Sequence, residues 1–518
     1  MAKQNFLQKL FFRRQKTSAT RLTRAFKGGE SNRLTYDWIA ASPHADHDIK
    51  HSIEVVRSRA RDLCQNNDYA KRFINLCLMN IVGADGFVFQ SKVTDPNGAY
   101  DQQANLIIEK AWAEWSKPEN CTATGRLNFI EVQKLLITQA ARDGEFFVHI
   151  LRTPESKFGL QLQILEPDDI DHSYNEDLNN GNFIRLGIEF NIYRKPIAYY
   201  FKKNNKENIN FAQNYTKDFE RVEAKDVIHC FIQDRARQSR GISWLHASMY
   251  RLKQLQGYEE AALVNARVGA AKMGFFTNEM GDEYLGDSAD SNGNVQMTAE
   301  PGSFEQLPPG MKFQSFEPDF PQQQYSDYVK ACLRGIASGL GVSYNLLAND
   351  LEGVSYSSIR SAILDERNNW MHLQSWFIGG FLQPLFKNWL EMGLLRGAIT
   401  LPMAKFEKFD RAEFIGRRWQ WVDPKSDIEA KLLELNAGFI SATQVAAEMG
   451  RDLEDIYRDR EREKELAKQY GLDFTINNPD QAVENIKPKL KSVSAEKYNR
   501  ENTSFTNGNI LEGILNNE

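Results

Sequence analysis

The sequence is short of the features that announce chemistry. Its five cysteines, Cys64, Cys77, Cys121, Cys230 and Cys332, are dispersed with no close pair. That pattern favours buried thiols in a reducing compartment over a disulfide framework, and without a CxxC pair it offers no zinc site. There is no GxxxxGK[ST] phosphate loop, no GxGxxG, no GxSxG and no HExxH, so nucleotide-driven, hydrolase and zincin chemistries lack their anchors. A long apolar run is missing too. The most apolar window, Trp376 to Leu382, is seven residues long, far below the roughly 20 needed to cross a bilayer. Met1 to Arg14 holds only a short apolar patch without a signal-peptide core. These absences predict a soluble chain, cytoplasmic when made, with no cofactor, no metal and no membrane contact. No internal repeat is present.

Excess charge is scarce as well. Against 69 acidic residues stand 64 basic ones, a formal net charge of -5. Proteins that grip DNA through many phosphate contacts are usually basic, so a conventional DNA-binding domain is disfavoured. What the chain does have is length and apolar content: 518 residues, 42% hydrophobic and 11% aromatic, enough for two to four cored domains.

Residues 1–35 form a basic arm, with nine Lys or Arg against Glu30, expected to be solvated and flexible. Asp48 to Val82 reads as two helices broken at Asn66 to Asp68, with Arg57, Arg59, Arg61 and Arg72 on their polar faces. Gly86 to Gln90 alternates like a strand, and Leu106 to Trp115 returns to helix. The block from about 130 to 235 predicts an α+β domain with an antiparallel sheet: a helix from Phe129, a turn at Asp143 and Gly144, strands at Glu145 to Leu151 and Leu160 to Leu165, a hairpin around Arg194, and a strand at Val227 to Phe231. Gln238 to Ser243 opens a helix running to about Met273. Its second half is rich in small residues (Ala261, Ala262, Ala266, Gly269, Ala270), which let a neighbouring helix approach closely. Residues 277–320 form a loop-rich excursion.

A helix from Tyr325 should close near Gly339 and Gly341, a loop follows, and Ser355, Ser357 or Ser358 caps a long helix from about Ile359 to Leu395. Asp423 before Pro424, the Ser441 to Gln444 capping box and Asp452 announce small C-terminal helices. From Asn477 the chain is polar and expected to be disordered.

Three constellations deserve weighing. His44, His47 and His51 lack a further ligand or a nearby base, so a solvated helix entry is favoured over a metal site. Glu166, Asp168, Asp169 and Asp171 bunch four carboxylates around Pro167, where a structural turn is favoured over acid/base work. His229, inside an apolar strand, reads as a hydrogen-bonded core histidine.

Several motifs resemble, in order, the lambda family of tailed-phage portal proteins: Arg57 to Leu63, Asp143-Gly-Glu145, Leu165 to Asp168, Val227 to His229, Arg334 to Tyr344, Asp350 and Tyr356 to Arg360. The resemblance spans about residues 36–450. It implies a portal fold of α+β class, with a wing (36–240), a stem helix (241–275), a clip (276–320), a second stem helix (321–348), a tunnel loop (349–358), a tunnel helix returning to the wing (359–422), a helical crown (423–475) and a tail (476–518). It further implies a dodecameric ring at one capsid vertex, a structural protein and not an enzyme, made in the host bacterial cytoplasm and located in the virion. Implied partners are other copies of the chain, double-stranded DNA in transit, the terminase large subunit, the major capsid protein and scaffold, and head-completion or tail connector proteins.

With no phosphate loop, the chain would not itself be the packaging ATPase. Asn349, Asp350, Glu352, Ser355, Tyr356, Ser357, Ser358 and Arg360 would line the channel, where acidic and hydroxyl groups give a low-friction surface. Arg360, Arg367 and Lys387 would meet phosphate in passing or pair with a neighbouring subunit. The small residues of the 241–275 helix would contribute to the subunit interface. Two alternatives compete: a metal-dependent nuclease using Asp168, Asp169 and Asp171, and a monomeric nucleic-acid-binding module led by the basic arm.

Overall fold

The computed structural model describes residues 44–202, 219–270, 274–278, 288–289, 295–296, 311–315, 325–352, 355–419, 424–449, 451 and 453–471. The basic arm, the C-terminal tail and most of the 276–320 excursion lie outside the described residues. The chain divides into two units, Met1–Arg417 and Arg418–Glu518.

The first unit opens with α1 (Ala45–Asn66) and α2 (Asp68–Cys77). Asn67 separates them because its side chain accepts from the Ala70 amide at 3.0 Å, capping α2. A π turn, Leu78–Val82, continues α2. Next come β1 (Val88–Ser91), α3 (Gln102–Trp115) and α4 (Phe129–Asp143). Asn128 and Glu131 form a capping box at the start of α4, and Gly144, at φ 94°, closes it. That glycine turns the chain straight into β2 (Glu145–Leu151).

Two antiparallel sheets follow, bearing out the α+β expectation. In the first, β2 is central between β3 (Gln161–Leu165) and β9 (Val227–Phe231). In the second, β4 (Glu176–Asp177), β5 (Phe183–Arg185), β6 (Ile188–Phe190), β7 (Pro196–Lys202) and β8 (Phe219–Glu223) lie in sequence order. Phe147, Ile188, Tyr199, Phe201 and Val227 join in one buried cluster.

The helix expected from Gln238 begins later, as α5 (Met249–Ala270). Residues 238–248 are instead pulled into turns by side-chain bonds: Gln238 Oε1 accepts from the Asp234 and Arg235 amides, and Ser239 donates to Asp46. The excursion after α5 is closed at its base by an antiparallel ladder of β10 (Gly274–Asn278) and β13 (Met311–Ser315), with a shorter pair, β11 (Ser288–Ala289) and β12 (Val295–Gln296), inside it.

α6 (Tyr325–Leu340) returns alongside α5, where Tyr258 packs on Tyr325 and Tyr328. The loop expected after it contains a short helix, α7 (Tyr344–Ala348). α8 (Tyr356–Phe377) then runs through a second π turn, Ile378–Leu382, into α9 (Gln383–Leu395). Buried Gln374 ties the region together, donating to the carbonyls of Asn80 and Ile81 in the first π turn and to Arg417. A π turn leaves carbonyls off the regular ladder, and a buried amide satisfies them. β14 (Ala412–Ile415) pairs with β1 to finish the unit. Its aromatic core joins Trp112, Trp115, Phe129, Phe386 and Trp389 from α3, α4 and α9.

The second unit holds α10 (Pro424–Asn436), α11 (Ala442–Glu448) and α12 (Leu453–Gln469). The capping box expected at Ser441 is formed with Gln444. Four of the five cysteines are buried, Cys332 is half-buried, and all are free thiols.

Candidate functional site

The motifs at Arg57, Asp143, Glu145, Asp168 and His229, together with Arg240, meet in one place. Gly144 ends α4 and starts β2, so Asp143 and Glu145 flank a single left-handed residue and both carboxylates turn inward. Glu145 is fully buried and accepts from Arg57 Nη2 at 2.8 Å, Arg240 Nη2 at 2.7 Å, the Gly241 amide at 3.0 Å and His229 Nε2 at 3.0 Å. Asp143 pairs with Arg61 and Arg142, and Asp168 with Arg57 (2.6 Å) and Arg61. Arg240 also donates to the carbonyls of Leu186 and Pro167, both at 2.9 Å. Four guanidinium groups therefore meet three carboxylates, and one backbone crossing point is fixed from three elements.

Burial alone would push the Glu145 carboxyl up, but Arg240, His229 and Arg57 outweigh it and hold the carboxyl well below the usual carboxylate range. Asp168 follows the same logic, with Arg57 and Arg61 overcoming its burial. Burial pushes His229 down despite Glu145, so the ring is neutral at pH 7 and its Nε2–H donates to the carboxylate. The His229 ring stacks on Phe147 at 4.1 Å, and the Arg240 guanidinium lies over Phe147 at 5.3 Å. This is the hydrogen-bonded core histidine that its strand context predicts.

One expectation is corrected here. Arg57 does not sit on a polar face; it is 3% exposed, in the apolar register of Ile49, Ile53 and Ala60. Arg240 and the convergence itself were also missed. A readable signal existed, because an arginine four residues after Ile53 on a helix's apolar face demands a buried counter-charge.

Beside the cluster lies a cavity of about 500 Å³ lined by residues including Arg57, Arg61, Asp62, Asp168, His172 and Lys202. Asp168 is committed to arginines, Asp169 accepts from the Glu166 amide at 2.9 Å across the turn Pro167–Asp169, and Asp171 accepts from the Ser173 amide at 2.8 Å. Each carboxylate that the nuclease alternative requires thus has a local structural partner. His47 and His51 touch edge to face at 4.8 Å on an exposed helix start. Among the described residues, no group of three or more His, Cys, Asp or Glu is placed to hold a metal ion, and no helix is long and apolar enough to cross a membrane.

The segment between α6 and α8 is pinned at its start. Gly341, at φ 67°, closes α6, whereas Gly339 remains helical, with Ser248 packed where a Cβ would stand. Asn349 ends α7 in the left-handed conformation, φ 54°. Asp350 accepts from Tyr344 Oη at 2.6 Å and from the Glu352 amide at 3.0 Å, with Lys330 Nζ at 3.6 Å. Lys330 also meets Glu352 at 3.1 Å, although the Glu352 side chain is 81% exposed. The Tyr344 bond first, then the Glu352 amide and Lys330, hold the Asp350 carboxyl below its usual range. Ser355 is exposed and directly precedes α8; Tyr356, Ser357 and Ser358 occupy its first turn, and Arg360 is half-buried and partnered. Arg367 is half-buried further along α8, and Lys387 is exposed on α9.

On α5 the small residues divide between faces. Ala262 and Ala266 are half-buried on the side of buried Leu252 and Leu255, while Ala261 is exposed with Gly257 and Val264 on the other. Gly269 and Ala270 occupy the last helical positions.

The model of the family described as "Phage portal protein, lambda family" matches residues 31–374. The chain belongs to the lambda family of phage portal proteins. It is a phage portal protein, structural and not enzymatic. It is 35% identical over 87% of its length to a probable portal protein of Halomonas phage phiHAP-1, covering 88% of that relative. It is 22% identical over 84% of its length to portal protein B of Escherichia phage lambda, again covering 88%. Among solved structures it is similar to the neck of an empty GTA particle computed with C6 symmetry: 14% identity, TM-score 0.41, covering 76% of this chain and 93% of that one.

Proposed function

We propose that copies of this portal protein close into a ring, dodecameric by family resemblance, at one capsid vertex, and that double-stranded DNA passes through its centre during packaging and ejection. Residues 36–240 serve as wing, 241–275 and 321–348 as stem helices, 276–320 as clip, 349–358 as tunnel loop, 359–422 as tunnel helix with its return to the wing, and 423–475 as crown. The ring docks the terminase large subunit, then head-completion or tail connector proteins, and contacts major capsid protein and scaffold while assembling in the host cytoplasm.

The loop after α7 carries this reading. Lys330, Tyr344 and Asp350 fix its base, Glu352 is held out to solvent, and Ser355 is exposed just before α8. A fixed, acidic and hydroxyl-bearing surface repels phosphate and gives only weak contacts, which suits DNA that must slide. Asn349, Asp350, Ser355, Tyr356, Ser357, Ser358 and Arg360 complete the channel lining.

Rings need head-to-tail surfaces that close on themselves. The open face of α5 supports one: Tyr250 is 77% exposed and Val264 50%, with Gly257 and Ala261 exposed between them. Native mass spectrometry with negative-stain imaging of the same purified sample tests the reading. Closed rings with a central channel are expected; a persistent monomer at high concentration across a range of salt contradicts it.

A further inference from the structure

A second cavity of the first unit, about 310 Å³, opens between β1, α3 and the start of α4. Its walls are Phe87, Phe89, Trp112, Phe129 and Ile130. Asp85, which is exposed, and Glu109, which is half-buried, add two carboxylates to the lining, and exposed Glu131 follows Ile130 along α4. None of the lining residues is a Lys or Arg; nearby Lys134 is turned to the Ala84 carbonyl at 3.3 Å. Leu106, one turn before Glu109 on α3, is 52% exposed and extends the apolar surface. The volume lies at the low end of ligand pockets, which run from about 300 to 1,000 Å³. It suits one or two large side chains of a short segment, apolar in its body and basic at its edge.

The chain carries such a segment in its basic arm, which lies outside the described residues. Phe6, Leu7, Leu10 and Phe11 recur at the spacing of one helix face, with Lys9, Arg13 and Arg14 among them. Leu7, Leu10 and Phe11 follow the i, i+3, i+4 pattern of segments that lay an apolar face into a groove. The family match begins at residue 31, so the portal reading gives this apolar patch no role. Reach is ample: roughly 30 residues separate Arg14 from His44 and span up to about 100 Å when extended, against about 33 Å for the 22 residues of α1. The tether also holds the segment at a high effective concentration near its own subunit. We infer that residues 6–14 dock in this cavity of their own chain, the apolar side chains against its aromatic walls and the basic ones towards Asp85, Glu109 and Glu131. This goes beyond the ring reading and does not depend on it.

The test uses full-length chain. An equal mixture of ¹⁴N- and ¹⁵N-labelled protein is treated with a zero-length carbodiimide, and hydrogen exchange is followed across the arm. Expected are same-isotope cross-links from Lys9 to Asp85, Glu109 or Glu131, and amides in 6–14 that exchange at least tenfold more slowly than those in 17–30. Leu10→Asp combined with Phe11→Asp should abolish both signals. Asp85→Lys, at an exposed side chain, and Ala113→Trp, which fills the cavity from its exposed side, should each reduce them at least threefold while exchange in 145–231 stays unchanged. Free exchange throughout 6–14 overturns the inference. So does protection that survives both Asp85→Lys and Ala113→Trp, or whose cross-links run to other surfaces. Mixed-isotope links as frequent as same-isotope ones make a second copy the host and overturn the assignment to the same chain. Whether rings form is read separately, by native mass spectrometry of the same samples, so either reading can fail alone.

Discussion

Arg240 closes on Glu145 through Nη2 at 2.7 Å and Nε at 2.8 Å, and neither side chain reaches solvent. Breaking a buried pair strands an uncompensated charge, which costs about 3–5 kcal/mol. Glu145→Ala and Arg240→Met should each lose that much in urea unfolding of the subunit. The double variant should lose well under the sum, because each partner's removal relieves the other. Additive losses would show that the two residues act independently.

Acidification should loosen the same centre in two stages. His229 is held below its ordinary value, so the folded state prefers the neutral ring. As pH falls below about 6.5 the unfolded chain takes up the proton first, and stability drops. Glu145 and Asp168 are depressed carboxylates, whose contribution is present above about 4 and is lost below it as they protonate. Asp169, raised by burial, runs the opposite way and blunts the second stage. Urea midpoints should hold from pH 8 to about 6.5 and fall from there to 3.5, and His229→Gln should flatten the part between about pH 6.5 and 5. An unchanged slope in that variant would remove His229 from the account.

The elements that were legible in the sequence were those with local causes. Apolar periodicity predicts α1, α2 and α4, alternation predicts β1 and β3, and Ser441 with Gln444 marks α11 because a capping box is written in four consecutive residues. Three features were not legible. Glu145 and Arg240 are 95 positions apart, and charged residues ordinarily read as surface. The start of α5 shifts to Met249 because Gln238 and Ser239 are drawn into bonds with Asp234, Arg235 and Asp46, a tertiary override of helix periodicity. The first π turn depends on Gln374, distant from it in sequence, to satisfy the carbonyls of Asn80 and Ile81.

Gly144 is required by both its conformation and its neighbours. At φ 94° a Cβ there would stand 2.3 Å from the Ile242 carbonyl carbon, and one on Gly241 would stand 2.1 Å from the Gly144 oxygen. Gly144→Ala should therefore lose at least about 3 kcal/mol, from left-handed strain plus a clash with backbone that cannot move aside. Gly125→Ala is the control, since its φ is 65° with nothing within 4 Å. It should lose only about 1–2 kcal/mol. Equal losses in chemical unfolding would mean that the crossing at Gly144 and Gly241 is not tightly packed.

At the base of the loop, Asn349 holds φ 54°, a conformation that glycine adopts freely and β-branched residues resist. Asn349→Gly should leave hydrogen exchange at the Asp350 amide, which donates to Asn345 at 3.2 Å, within about twofold of the parent chain. Asn349→Val should cost about 1–2 kcal/mol locally and speed that exchange about tenfold. Tyr344→Phe, which removes the donor to Asp350, should accelerate the Glu352 amide without altering α8. A loop equally protected in all three variants would show that neither contact holds it.

The proposed acidic lining gives the sharpest functional expectation. Glu352 is exposed, and its pairing with Lys330 at 3.1 Å is a surface contact of small energy. Glu352→Lys would replace a group that repels phosphate with one that attracts it, once per subunit around the ring. Each phosphate so engaged should steepen the fall of log binding constant with log salt by about 0.9. The parent ring should bind linear duplex weakly, and the variant should bind it at least tenfold more tightly at low salt, with a visibly steeper salt dependence. Packaging measured in a complete head-filling reaction should slow, because a lining that grips its cargo trades sliding for affinity. If the variant ring binds DNA no better than its parent, Glu352 does not face the channel and the lining must be sought on another segment.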